Sequence, residues 1–481
     1  MGPRAVIKDG ASADVAIVGA GAAGLATAIF TRRANPARSV LLLEGALKPG
    51  AKILVSGGGR CNVTNRVVSE REFWGGRRSI IRRILRSFPA SDTVEFFQEL
   101  GVALNEEADG KLFPVSGHAR DVLTALWRGA EAAGVRLATG SRVSRIERSP
   151  SGFHIAIARR ATESRASAPI EGQHDARIEV QHDARIEGQE AALFESQFVV
   201  LATGGQSLPK SGSDGVGYAF ARSLGHTIVP TTPALVPLML GGQPHGELSG
   251  VSHDAELAVW VDGRISTRLS GSLLWTHFGI SGPVAMNASR HWLRAQTEGR
   301  QVRLTASFIP GMTFEGLEKW WTTIASSRPK ISVTAALALR VPAAVAAIIV
   351  GYLNIVPCQL AHLTRADRRK LTSALVEWPL AVTGCRGWNY AEATAGGVAL
   401  DEIDAATMES RKCPGLYLVG EILDVDGRIG GFNFQWAWSS AYVAGRSLSR
   451  GALPPRPPHA CHPIALENAR RGPRPSARGG P

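Results

Sequence analysis

Residues Asp14–Ala28 read DVAIVGAGAAGLATA. Asp14 to Val18 predict a short buried strand, and Leu25 to Phe30 continue as a helix. Between them Gly19, Gly21 and Gly24 stand at GxGxxG spacing. Each glycine has its own job there: Gly19 makes the tight turn, Gly21 lets backbone approach a pyrophosphate, and Gly24 lets helix pack on strand. Ala22 and Ala23 open the helix, whose unpaired N–H groups and positive dipole end suit phosphates. A second apolar strand, Ser39 to Leu43, ends on Glu44, 20 residues after Gly24, the distance expected of a ribose-binding carboxylate. The stretch therefore predicts an α/β dinucleotide fold. The acid fits FAD or NAD and disfavours a 2′-phosphate.

At 481 residues the chain has room for about three domains. With 44% hydrophobic and 20% charged residues, it has the composition of a soluble globular protein. Its five cysteines are scattered and form no CxxC, so neither a disulfide framework nor a metal site is expected, and a reducing compartment fits. Met1 to Ser12 lack the apolar core of a signal peptide. The uninterrupted apolar stretch Val341–Leu353 falls short of the ~20 residues that span a bilayer. A buried helix is expected there, no membrane partner, and a cytoplasmic location. The net charge is +13, of which residues 451–481 contribute five arginines against one glutamate. The remaining basicity suits an anionic partner and equally an arginine-favouring genome. Residues 451–481 also hold eight prolines and no apolar period, which predicts a disordered tail.

Ser56 to Asn65 read SGGGRCNVTN. Three consecutive glycines predict a loop that exposes backbone and lies flat against a ligand. Together with GAGAAG and Glu44, this block resembles the BaiN/YhiN-like (aminoacetone oxidase-like) family of FAD-dependent oxidoreductases, over Asp14 to about Gly445. The resemblance implies an FAD pocket that includes Lys52, Ser56, Gly57, Gly58, Gly59, Arg60, Cys61 and Asn62, with Val143 offering backbone to the adenine. It implies a Rossmann-like FAD-binding domain of the two-dinucleotide type, interrupted by a β-barrel insert and a helical insert. The expected division is 1–207 with 380–450 for the FAD domain, 208–310 for the barrel and 311–379 for the helices.

Along the chain, Gly75–Phe88 predicts a helix with Ile80, Ile81, Ile84, Leu85 and Phe88 on its apolar face. Arg78, Arg82 and Arg86 follow at i, i+4, i+8, either a solvated face or a phosphate-binding stripe. Val135–Ile146 and Phe153–Ala158 predict strands of a small sheet layered on the nucleotide fold. Within 159–192 the octapeptide QHDARIEV recurs as QHDARIEG, and a mobile hairpin tip is expected. Phe198–Gly205 is a buried strand running into glycines, returning Ala202, Thr203 and Gly204 to the cofactor. Polar and apolar residues alternate over 208–310, as in an antiparallel sheet, and Thr276–Pro283, THFGISGP, matches a family block. Near the end, Gly420-Glu421, Asp424, Gly431, Phe432, Asn433 and Gln435 form a strand, a glycine-rich turn and a helix. That helix N-terminus would stabilise negative charge on reduced flavin.

No second GxGxxG follows a strand, so a nicotinamide donor, NAD(P)H, is expected to dock without a Rossmann domain of its own. His277 is a candidate proton donor or a structural histidine. Cys61 is either redox-active or packed against the flavin. Three functions fit: a reductase acting on uridine in ribosomal RNA, a small-molecule oxidase or enoyl-type reductase, and a non-catalytic FAD-stabilised binding module.

Overall fold

Val15, Ala16 and Ile17 are fully buried and apolar, so strand β1 (Ser12–Val18) can only be interior to a sheet covered on both faces. The structure, a computed structural model, describes residues 11–158, 190–242 and 245–450. Helix α1 (Ala22–Ala34) follows β1 and leads to β2 (Val40–Glu44), α2 (Ala51–Gly59) and α3 (Arg78–Ser87). β1 pairs in parallel with β2 on one side and with the long strand Glu190–Leu201 on the other. Arg136–Thr139 joins the outer side of β2, also in parallel.

The long strand forks. Its first half pairs antiparallel with Gly152–Ala158, while Val199–Leu201 pair in parallel with Leu416–Leu418. Val143–Ser149 completes seven strands. The expectation of one strand over Val135–Ile146, in a separate small sheet, is corrected here. The chain breaks at Gly140, with φ +70°, and the two pieces join opposite sides of one sheet, because the long strand can carry a parallel and an antiparallel neighbour at once. The same strand claims residues 190–192 of the expected hairpin insertion. The octapeptide repeat and the tail at 451–481 lie outside the described residues.

The helix Phe432–Ser449 crosses α1 closely: a Cβ on Gly445 would stand 2.6 Å from that of Phe30. Phe30, Phe88 and Tyr442 pack ring on ring around this crossing, at 4.8–5.3 Å between centroids. Ile81, Ile84 and Leu85 of α3 are buried in the same core, which leaves its arginines outside. Arg82 is not an isolated charge, since Glu70 from the preceding turn pairs with it at 2.8 Å.

A second core lies within a seven-stranded antiparallel sheet drawn from residues 238–385. Its two end strands, Trp378–Leu380 and Val382–Cys385, are consecutive and separated only by Ala381. The sheet therefore curls until one bent stretch of chain pairs with Val302–Ser307 on one side and Leu238–Leu240 on the other. The first of them ends at position 380, where the sequence suggested the chain returns to the FAD domain, and the second lies beyond it. Helices Phe314–Ser327, Val333–Leu337, Ala343–Tyr352 and Arg365–Val376 cover this unit. The apolar stretch around 341–353 is broken by Pro342, and no described helix is long and apolar enough to cross a membrane.

Candidate active site

A cavity of about 490 Å³ opens where β1, β2, α2, the long strand and the helix Phe432–Ser449 converge. Organic ligands and cofactors typically occupy cavities of roughly 300–1,000 Å³. Two helices present uncapped N-termini to it. α1 starts after Gly21 and the last helix after Gly431, with no capping side chain and no acid in either first turn. Gly21, Ala22, Ala23, Gly431 and Asn433 line the cavity, so both sets of orphan N–H groups lie at its wall.

The fingerprint glycines divide as their spacing suggests. A Cβ on Gly21 would meet nothing within 4 Å, leaving room for a ligand at the backbone. One on Gly19, with φ +104°, would fall 2.5 Å from the Ala202 carbonyl oxygen, and one on Gly24 only 1.9 Å from that of Gly19. Gly19 lines the cavity and Gly24 is consumed in packing.

Glu44 also lines it, its carboxylate oxygens accepting from the N–H groups of Ala20 and Ala46, each at 2.8 Å. Lys52 donates to both Glu421 and Ser207. Glu421 also accepts from Ser207 Oγ at 2.8 Å and Thr394 N–H at 2.9 Å. Ser56, Gly57, Arg60 and Asn62 reach the cavity from the SGGGRCN stretch, where helical dihedrals fail at Ser56, Gly57 and Gly58. Val143 lines another part, and Ala202, Thr203, Gly204 and Gly420 the floor. Two helix ends at one cavity, an unobstructed glycine and a fixed acid fit a dinucleotide such as FAD.

Other expected residues do not reach the cavity. Gly58 and Gly59 are exposed and do not line it. Cys61 is fully buried, and burial pushes its thiol up to about 12, against a weaker hydrogen-bond effect from Ser56. It is a thiol at neutral pH, unsuited to redox attack. Phe432 is core, edge-on to Phe73. Gln435 is saturated by Thr64, Thr93, the Phe88 carbonyl and Ser439, and so anchors its helix. Asp424 is buried away from the cavity, and burial raises its carboxyl pKa. His277 is exposed on the hairpin turn between Arg264–Thr276 and Gly279–Ser281, its ring edge-on to Phe278 at 5.1 Å.

Sequence reasoning missed Leu235, Glu392, Arg428 and Ile429, all of which line the cavity. They come from three separate stretches that only the fold brings together. It missed equally the hairpin that brings Glu107 to Arg60 at 2.7 Å and lays that guanidinium over Phe113 at 4.1 Å. No group of metal-ligating side chains occurs among the described residues.

The family description "HI0933-like protein Rossmann domain" matches residues 13–447. A 3-dehydro-bile acid delta(4,6)-reductase of Clostridium scindens is 32% identical over 446 residues, covering 90% of this chain and 98% of the relative. A ribosomal RNA dihydrouridine synthase of Escherichia coli is 30% identical over 435 residues, with the same coverages of 90% and 98%. Among solved structures, a 3-ketosteroid-delta4-(5alpha)-dehydrogenase of Rhodococcus jostii is 15% identical with a TM-score of 0.43, covering 93% of this chain and 100% of that one.

Proposed function

The chain belongs to the HI0933-like family of FAD-dependent oxidoreductases, and from that premise we propose that it reduces a carbon–carbon double bond conjugated to a carbonyl group. The two curated relatives suggest this chemistry, since their names describe adding hydrogen to a steroid-type double bond and to uridine. The observation that carries the reading is a cavity with an uncapped helix N-terminus at Gly21 and another at Gly431. Gly21, Ala22 and Ala23 would hold the pyrophosphate, Glu44 a ribose, and the backbone at Gly431 and Asn433 the flavin ring. Bound there, FAD would supply the hydride chemistry, with a nicotinamide dinucleotide, NAD(P)H, as the electron source.

Uridine in ribosomal RNA is the substrate we favour, because Arg77, Arg78, Arg83 and Arg86 form an exposed basic face around α3. A deletion strain should lose a dihydrouridine from its ribosomal RNA, read by nucleoside mass spectrometry. An unchanged nucleoside profile would move the substrate to a small conjugated ketone, the chemistry named for the bile-acid relative. Replacing Arg78, Arg82 and Arg86 with glutamine should lower the slope of log RNA affinity against log salt by about 2 units. The third contribution is reduced because Glu70 already neutralises Arg82. An unchanged slope removes α3 from the RNA surface.

A further inference from the structure

Charged side chains at the cavity are nearly all matched. Lys52 pairs with Glu421, Arg60 with Glu107, Lys111 with Asp109 and Arg142 with Asp214. Among the described residues Arg428 is the lining cation with no carboxylate partner. Its N–H is tied to the Glu72 carbonyl at 3.0 Å, and its guanidinium lies over Phe432 at 4.6 Å. Its Nε is buried with no hydrogen-bond partner. That buried N–H is costly to leave unpaired, and the terminal guanidinium N–H groups remain to take an acceptor from the cavity.

The carboxyls sort likewise. Glu44 holds two backbone N–H groups, Glu107 holds Arg60, and Glu421 holds Lys52, Ser207 and Thr394. Among the described residues the lining carboxyl with no hydrogen bond or ion pair is Glu392. Its main chain is fixed by donation to the Leu235 carbonyl at 3.1 Å. Its side chain is exposed to the open cavity, with the cavity walls packed around it. Those surroundings raise its pKa, an effect that Lys52 opposes and that solvent in the open cavity weakens. Leu235 belongs to a small apolar cluster with Met286 and Ala393, separate from both large cores, and Ile429 leans on it. Glu392 adjoins Ala393, and Arg428 adjoins Ile429. The unmatched acid and the unmatched cation therefore flank one apolar seam.

We propose that this seam is the oxyanion site for the reacting substrate, with Arg428 holding the carbonyl oxygen and Glu392 as the proton donor. The assignment rests on the conjugated-carbonyl reading above. Hydride adds to the β carbon of C=C–C=O, and the electron pair of the double bond moves toward the oxygen held by Arg428. The Oε–H bond of Glu392 then breaks as a C–H bond forms at the α carbon, and the carboxylate left behind recovers a proton from water. The substrate gains two electrons and two hydrogens, and the reduced nicotinamide is the reductant.

Pentafluorophenolate, a planar oxyanion, tests the site on the full-length FAD-bound protein by calorimetry. It should bind the wild-type protein. Arg428→Gln should weaken binding at least about tenfold at unchanged FAD content. Arg300→Gln, which breaks an exposed pair with Asp262, should leave binding unchanged. Glu392→Gln should also leave it unchanged, because the amide mimics a protonated acid. Tighter binding in Glu392→Gln would show an ionised carboxylate and overturn the proton-donor role. Equal binding in Arg428→Gln, or no binding by wild type, would overturn the oxyanion site. Loss of FAD in Arg428→Gln would assign the arginine to the cofactor and also overturn it. If wild type forms dihydrouridine in RNA, Glu392→Gln should slow that step by about 100-fold. If wild type does not, the RNA reading fails alone, while the binding results still judge the site.

Discussion

Two glycine-rich turns in this chain each lead a strand into a helix, and they serve opposite ends. In Gly19–Gly24 the outer glycines press against backbone while Gly21 faces empty space. In Gly279–Gly282 both glycines are pressed: a Cβ on Gly279 would lie 2.3 Å from the Leu238 carbonyl oxygen, and one on Gly282 2.8 Å from that of Ser272. The first turn makes a site and the second makes a joint between strands. What separates them is whether one glycine faces a cavity, and a one-letter pattern does not carry that.

The contrast breaks first at Gly21. Gly21→Val should abolish FAD binding while the protein still folds, because the added methyls enter ligand space only. A yellow Gly21→Val protein with full flavin stoichiometry would erase the distinction. Gly279→Ala should do the reverse. At φ +149° and against the Leu238 carbonyl, the substitution should cost about 2–4 kcal/mol in urea unfolding, with flavin per folded molecule unchanged. Flavin loss without destabilisation would make the second turn part of the site.

The third glycine-rich stretch sharpens the comparison through Cys61. Burial pushes this thiol up from its ordinary 9.0 to about 12, so folding favours the protonated form. Its stabilising effect is whole below pH 9.0 and is lost as pH climbs toward 12. Cys61→Ala should flatten that decline in urea melts taken on either side of pH 9.0. An identical decline in the variant would place its origin elsewhere. The smallest effect is expected at His277, exposed on the second turn. His277→Ala should change stability by less than about 0.5 kcal/mol and leave turnover near wild type. A large loss of turnover at full flavin content would bring that turn back to the chemistry.

The dinucleotide half was legible because its signals are local. A strand, three glycines and an acid at fixed spacing are read by counting. The seam was not legible: Leu235, Glu392 and Arg428 come from distant segments that only the fold brings to one cavity. The end strands of the second sheet escaped for another reason. Trp378-Pro379-Leu380 contains a proline, which sequence reading takes as a strand breaker and which a short end strand tolerates. His277 misled because its neighbouring glycines look like room for a ligand, whereas they are filled by the sheet itself.

Ala381 leaves a consequence for the protein in solution. An open seven-stranded sheet would end in two bare rows of N–H and C=O groups, each a template on which another chain can add a strand. Here both end strands are short pieces of one bent stretch joined through Ala381, whose carbonyl accepts from Gly241 N–H at 2.8 Å. The sheet cannot be completed until residues 378–385 have been synthesised and the strand at 238–240 has waited for them. The interval between those events is when this protein is most open to aggregation.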